Sequence, residues 1–238
     1  MGSLRRGMMA GGGGGGVGDP YFANVVSLLH FDGANGSTTF TDVTGRAWTA
    51  QNSADIRTDV SKFGGASGWF QNTPGTGSEN GSRIMTPDAA DLQFGTGDFT
   101  VEGWFIPQTP LLGLGAFYRK GQNTADGLQL AVTPTQLTLR ADSSTDTNVA
   151  VSLSTSTWSH IAFTRQAGLV RFFVNGDLVG SAMRTFNHTD TEALFIGSVT
   201  SDTRFSYRGR IDDLRITKGV ARYTAAFSPP TAPFPNGP

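Results

Sequence analysis

The acids of the chain are the first side chains whose spacing could do chemistry. Three glutamates, Glu79, Glu102 and Glu192, and the neighbouring pair Asp212-Asp213 are the ones to weigh. Hydrolysis of a glycosidic bond needs two carboxyl groups roughly 5 to 9.5 Å apart across a cleft. No glutamate shares a predicted strand face with a second acid two positions away, and adjacent residues such as Asp212 and Asp213 are expected on opposite faces of a strand. Acid–base catalysis by a strand-borne pair is therefore not expected, although the loop acids Asp126, Asp142 and Asp146 could converge in space.

Other catalytic and metal chemistries find less support. His30, His160 and His188 are far apart, with no spacing that suggests zinc, and each is expected to be structural or on the surface. No Gly-x-Ser-x-Gly elbow presents a serine nucleophile. The absence of cysteine removes disulfides, thiol nucleophiles and thiolate-bound zinc together.

Charge excludes another class. With a formal net charge of −1 and only 16 % charged residues, the chain has no basic field to hold nucleic acid or an anionic membrane. No apolar run has the length of a membrane span or a secretory signal, so the chain reads as soluble when made, without membrane insertion.

Six consecutive glycines, Gly11 to Gly16, raise the question of a phosphate loop. Val17-Gly18-Asp19-Pro20 follows them where a Lys-Ser/Thr pair would be required, so that reading fails. A spacer is the simpler account, with a root-mean-square reach of roughly 12 to 15 Å for six residues. Residues 1–20 are accordingly expected to form a flexible Gly-rich arm. Within it Leu4, Arg5, Arg6, Met8 and Met9 combine charge with adaptable apolar bulk, which suits anchoring to a partner protein.

The elements that must position any site begin at Tyr21. From there to residue 238 short apolar or alternating runs are separated by Gly, Asn, Asp, Ser, Thr and Pro, and no helical period persists. The pattern predicts an all-β sandwich with strands at Val25–Phe31, Phe99–Ile106, Leu128–Val132, Gln136–Arg140, Ser159–Arg165, Leu169–Val174, Ala193–Ile196 and Gly209–Ile216. Asn175-Gly176 between two apolar runs predicts a type I′ hairpin over residues 170–180. Five prolines in "SPPTAPFPNGP" predict an extended tail lying against the domain.

Alternation assigns faces. Phe99, Val101, Gly103 and Phe105 share one face of their strand and suit the core, as do Ile161, Phe163, Val170, Phe172 and Val174. Trp104, Trp158 and Phe173 fall on the less apolar face. Two readings stay open for these aromatics: a secondary core covered by loops, which is preferred, or a stacking platform for a sugar.

Four stretches carry a family resemblance. "VVSLLHFDGANGSTTFTDVTG", "GDFTVEGWFIP", "WSHIAFTRQAGLVRFFVNGDLVG" and "GRIDDLRITKGVARYTAAFSPPTAPFP" resemble, in this order, concanavalin A-like domains of the laminin-G type. The resemblance implies a jelly-roll sandwich of two curved antiparallel sheets used as a carbohydrate- or protein-binding module. The wording of the first and last stretches is most similar to laminin-G-like domains in virion proteins of tailed bacteriophages, which decorate heads, tails or fibres.

In such sandwiches a cation can sit near the rim, and Asp32 of "HFDG" with Asp212 of "RIDDLRI" are the candidate calcium ligands. The other reading, which is preferred, has Asp32 starting a turn by bonding its own backbone and Asp212 pairing with an arginine such as Arg46, Arg215 or Arg222. The expectation as a whole is a non-enzymatic virion decoration protein on the particle surface. Its expected partners are other virion proteins, through the arm, and host-surface polysaccharide; it requires no cofactor, and homo-oligomerisation stays open. A cellular or secreted carbohydrate-binding module, cut from a larger glycan-active enzyme, is the competing expectation.

Overall fold

A computed structural model describes residues 18–71, 81–109, 114–121, 125–141, 145–198 and 206–238. Among the described residues fifteen strands follow one another: β1 (Val25–Leu29), β2 (Thr49–Gln51), β3 (Asp55–Arg57), β4 (Ser67–Phe70), β5 (Arg83–Thr86), β6 (Phe99–Pro107), β7 (Ala116–Lys120), β8 (Leu128–Val132), β9 (Gln136–Ala141), β10 (Thr145–Ala150), β11 (Ser159–Gln166), β12 (Leu169–Val174), β13 (Asp177–Met183), β14 (Leu194–Ile196) and β15 (Gly209–Lys218). The helical segments among the described residues are two 3-10 turns, Phe22–Asn24 and Ala90–Leu92.

The strands form two antiparallel sheets. Sheet A runs β13-β12-β11-β6-β15-β4-β3, with β1 pairing the second half of β15 where β4 pairs the first. Sheet B runs β10-β9-β8-β7-β14-β5-β2. This is the expected jelly-roll sandwich, and the predicted strands all appear within three residues of their expected ends.

Alternation decides what lies between the sheets. Phe99, Val101, Phe105, Ile161, Phe163, Val170 and Phe172 are buried in the main core, with Val174 packed against it. They meet Phe117, Tyr118, Leu130, Leu139 and Ile196 from sheet B. Asn175 (φ 49°) and Gly176 (φ 86°) close the β12–β13 hairpin with the two positive φ angles of a type I′ turn.

The outer face of sheet A carries a second packed layer. The last twenty residues cross it, bringing Tyr223, Phe227 and Phe234 against His160 at ring-centroid distances of 6.4, 5.7 and 6.4 Å. The tail is tied down by main-chain bonds: Phe227 N–H donates to the Gly176 carbonyl, and Asp19 N–H to that of Gly237. The Pro-rich ending is thus extended and packed, and it closes next to the point where the described chain begins.

Candidate functional site

Strand β15 is interrupted where two of the candidate acids lie. Asp212 is opposite Trp104 and Arg215 is opposite Glu102, so Asp213 and Leu214 together face the single residue Gly103. Asp213 takes the left-handed conformation (φ 51°) at this bulge. A Cβ at residue 103 would fall 3.2 Å from the Leu214 Cα, so the glycine makes room for the crowded strand.

The bulge breaks the alternation that predicts opposite faces for the two aspartates. Asp213 reaches the tail side, where its Oδ2 accepts the Phe234 N–H (2.8 Å) and its Oδ1 accepts the His30 Nδ1–H (2.5 Å). His30 Nε2 lies 2.6 Å from Asn236 Oδ1, so both ring nitrogens face oxygen acceptors. Burial pulls the His30 pKa down, but Asp213 and Asn236 outweigh it and leave the imidazole more basic than usual.

Asp212 does not pair with Arg46, Arg215 or Arg222. Its Oδ2 accepts the main-chain N–H groups of Lys62 (2.6 Å) and Phe63 (3.1 Å), while its Oδ1 is buried with no partner. Arg46 instead binds Asp91, Arg215 binds Glu102 and Asp19, and Arg222 binds Asp19. Burial, with Asp213 and Asp32 nearby, pushes the Asp212 pKa up to about 7.

Asp32 is exposed and in electrostatic reach of Asp212, so the fold does bring the two together. Its carboxylate lies against Gly64, where any Cβ would overlap it. No backbone N–H among the described residues donates to Asp32, so the expected local turn is not what holds it. Calcium takes 6 to 8 oxygens. Here Asp212 Oδ2 faces two N–H donors, both Asp213 oxygens are engaged, and among the described residues no group of three or more His, Cys, Asp or Glu is placed to hold a metal ion. This donor set does not fit a calcium cage.

The aromatics divide. Phe173 is fully buried against Phe227 (5.4 Å) and Tyr223 (6.1 Å), a core position. Trp158 is half-buried, and its Nε1 has no partner. Trp104, 5 % exposed, sits under residues 58–65: the Phe63 ring meets it edge-on at 5.9 Å and the Lys62 ammonium lies 3.8 Å from its centroid. Gly64 and Gly65, both at positive φ, turn this segment back into β4. Leu4, Arg5, Arg6, Met8, Met9, Glu79 and Asp142 lie outside the described residues.

Beside Trp104 is a charged cluster that alternation alone did not reveal. Arg215 donates from Nε (3.0 Å) and Nη2 (2.7 Å) to Glu102 Oε1, and Tyr223 donates to Oε2 (2.8 Å). Asp19 receives both Arg215 and Arg222. Burial raises the Glu102 pKa, but Arg215, His160 and Arg222 outweigh it and bring it down to about 2. The carboxylate is anionic and fully buried, which suits a structural tie and not a proton donor.

Three further acids and His188 are engaged. Asp126 accepts from Thr189, Asp146 holds Arg140 through two bonds, and Asp190 caps the Glu192 N–H. His188 is buried, its Nδ1 accepts the Phe94 N–H, and desolvation with nearby Lys120 brings its pKa down to about 3. Next to the tail, a pocket of ≈ 240 Å³ opens between Asp19, Arg215, Arg222 and the prolines of residues 230–235.

The model of the concanavalin A-like lectin/glucanases superfamily matches residues 77–222, more than half of the chain. None of the curated proteins matches. Among solved structures, the binding domain of Paraclostridial Mosquitocidal Protein 1 is similar over 84 % of this chain and 50 % of that one, at TM-score 0.60 and 15 % identity. Domain 4 of AbnA, a GH43 extracellular arabinanase from Geobacillus stearothermophilus, in complex with arabinotriose, is similar over 82 % of this chain and 93 % of that one, at TM-score 0.60 and 19 % identity. The binding domain of Botulinum neurotoxin DC, in complex with rat synaptotagmin II, is similar over 84 % and 49 %, at TM-score 0.59 and 11 % identity. The chain thus spans about half the length of the two toxin binding domains and nearly all of the arabinanase domain, and at these identities the likeness is one of fold. Together with the two antiparallel sheets, the family match shows that the chain belongs to the concanavalin A-like lectin/glucanases superfamily.

Proposed function

We propose that the chain is a non-catalytic glycan-binding module of a virion protein, presented on a tailed-bacteriophage particle to host-surface polysaccharide. The observation that carries the binding part is the fold likeness over 93 % of Domain 4 of AbnA, a domain whose structure holds arabinotriose. The state of the acids supports the non-catalytic part. Glu102 is buried and anionic, and both Asp213 oxygens are engaged. The virion setting rests on the resemblance of the terminal stretches and on the composition of residues 1–16, with Leu4, Arg5, Arg6, Met8 and Met9 as the anchor.

A second reading has one observation of its own: the arabinanase domain belongs to an enzyme, so this chain could serve as the binding module of a glycan-active protein. Glycan-array binding by the full chain, followed by incorporation into particles with and without residues 1–16, separates the two. Array binding with loss of incorporation on deletion is the expected result. Polysaccharide hydrolysis, or unchanged incorporation, would overturn the corresponding part.

A further inference from the structure

Three neighbouring residues of sheet A share an unusual deficit. Asp212 on β15, Trp104 on β6 and His160 on β11 stand directly opposite one another in register, forming one transverse row on the outer face. They are 1, 5 and 0 % exposed. Each nevertheless has a buried polar atom with no partner: Asp212 Oδ1, Trp104 Nε1 and His160 Nδ1. His160 Nε2 is 3.3 Å from Glu102 Oε2, within ion-pair range, which leaves Nδ1 as the orphan on that ring. Leaving such a group unsatisfied costs about 1 to 3 kcal/mol, so three in one row mark a place where a polar partner from outside the chain is stabilising.

The row lies in a seam. On one side is the strap of residues 58–65, whose Lys62 and Phe63 cover the indole. On the other is the tail, with Phe227 and Phe234 against His160. The strap is fastened by few groups: Asp212 on two N–H groups, Asp59 with Arg210 (2.6 Å), the Thr58 N–H on Asn35 Oδ1 (3.3 Å), and the Ser67 hydroxyl on the Val60 carbonyl (2.6 Å). Five of its eight residues are exposed, including Val60. Lifting Lys62 and Phe63 would uncover one aromatic ring flanked by an acceptor, a donor and a ring nitrogen able to do either.

We propose that this row is a sugar subsite beneath a movable strap, and that the sugar it takes is neutral. The inference rests on the glycan-binding reading. An indole face stacks on the C–H face of a sugar ring, and a pair of neighbouring hydroxyls can donate to Asp212 Oδ1 while accepting from Trp104 Nε1. The neutrality follows from the charges around the seam. Asp32 and Asp213 gather there around Asp212 against Lys62 and His30, and Glu102 is already matched by Arg215, so the seam has no excess cation to receive a carboxylate-bearing sugar.

The test titrates the full chain with arabinotriose, maltotriose, cellotriose and lactose, with sialyllactose as the acidic probe, following tryptophan fluorescence and heat. Phe63→Ala removes half of the lid from a half-buried side chain, and Trp104→Phe keeps a ring while deleting the N–H. A neutral probe should bind wild type, bind Phe63→Ala at least about 5-fold more tightly, and bind Trp104→Phe at least about 5-fold more weakly. Sialyllactose should bind at least tenfold more weakly than that neutral probe. Neutral-probe binding that neither variant changes would overturn the subsite and leave the glycan-binding reading standing. No binding of any probe by wild type or Phe63→Ala would overturn both, and a preference for sialyllactose would overturn the neutral class.

Discussion

Arg215 and Glu102 face each other across β15 and β6, and both guanidinium contacts fall on one carboxylate oxygen, Oε1. The pair is buried, with Tyr223 on the other oxygen and Asp19 on the far side of the guanidinium. It therefore joins four parts of the chain: the start of the described region, two central strands and the tail. Breaking a buried pair by removing one partner costs about 3 to 5 kcal/mol, because the other charge is left uncompensated. Arg215→Ala should lose stability on that scale by urea unfolding. Arg215→Met with Glu102→Leu, which removes both charges, should recover part of the loss; no recovery would mean that packing rather than charge dominates the site.

This cluster also marks where the sequence stops being legible. Period-two alternation put Phe99, Val101 and Phe105 in the main core because each side chain is large and apolar on a long central strand. It could not say which side chains meet on the other face, since Glu102, Arg215 and Asp19 are up to 196 residues apart and their pairing depends on the register around the Asp213 bulge. Short strands escaped for another reason. β2, β3, β4 and β5 have three or four residues each and include Gly, Ser, Arg and Gln, so no alternation has length enough to show. Asp42 shows the same limit at one residue. Its carboxylate accepts from Ser27, Leu28, Thr44 and Trp48, but in the sequence it is one more aspartate in a turn-rich stretch.

The pH dependence of stability should have two limbs of opposite sign. Glu102 has a folded pKa of about 2, below its ordinary 4.5, so its contribution is present above about pH 4.5 and is lost as the pH falls toward 2. Asp212 and His30 are shifted upward. The folded state then binds more protons than the unfolded chain, and stability falls as the pH rises from about 4 to 7 for Asp212, and on through the raised His30 value. Asp212 is faced by Asp213, Asp32 and the N–H groups of Lys62 and Phe63. Melting temperature should therefore peak in mildly acid solution. Asp212→Asn should flatten the limb between pH 4 and 7 and leave the acid limb in place; an unchanged upper limb would refute the assignment.

Chelation makes a sharper test of the aspartates. A structural calcium bound to the folded state alone would raise stability by about 2.7 kcal/mol at a hundred times its Kd. For a chain of this size that corresponds to roughly 5 to 11 °C in Tm. Since Asp212 Oδ2 and both Asp213 oxygens are committed to N–H donors, which leaves too few free oxygens for a calcium shell, EDTA should move the melting midpoint by less than about 1 °C. A chelator-sensitive midpoint, restored by added calcium, would reinstate Asp32 and Asp212 as cation ligands.

The hairpin tip at Gly176 tests how much the tail layer matters. At φ 86° any side chain is strained, which costs about 1 kcal/mol. A Cβ there would also overlap the Phe227 carbonyl, which is main chain and cannot swing aside. Phe227 N–H is bonded to the Gly176 carbonyl, so displacing the tip pulls the tail away from Phe173 and His160. Gly36 separates the two effects, because it has a similar φ of 79° with nothing within 4 Å of the added carbon. Gly36→Ala should cost about 1 kcal/mol and Gly176→Ala at least about twice that, with added fluorescence of a hydrophobic dye as the tail lifts. Equal losses would mean that the tail follows the hairpin without strain and that the outer layer is not what the glycine protects.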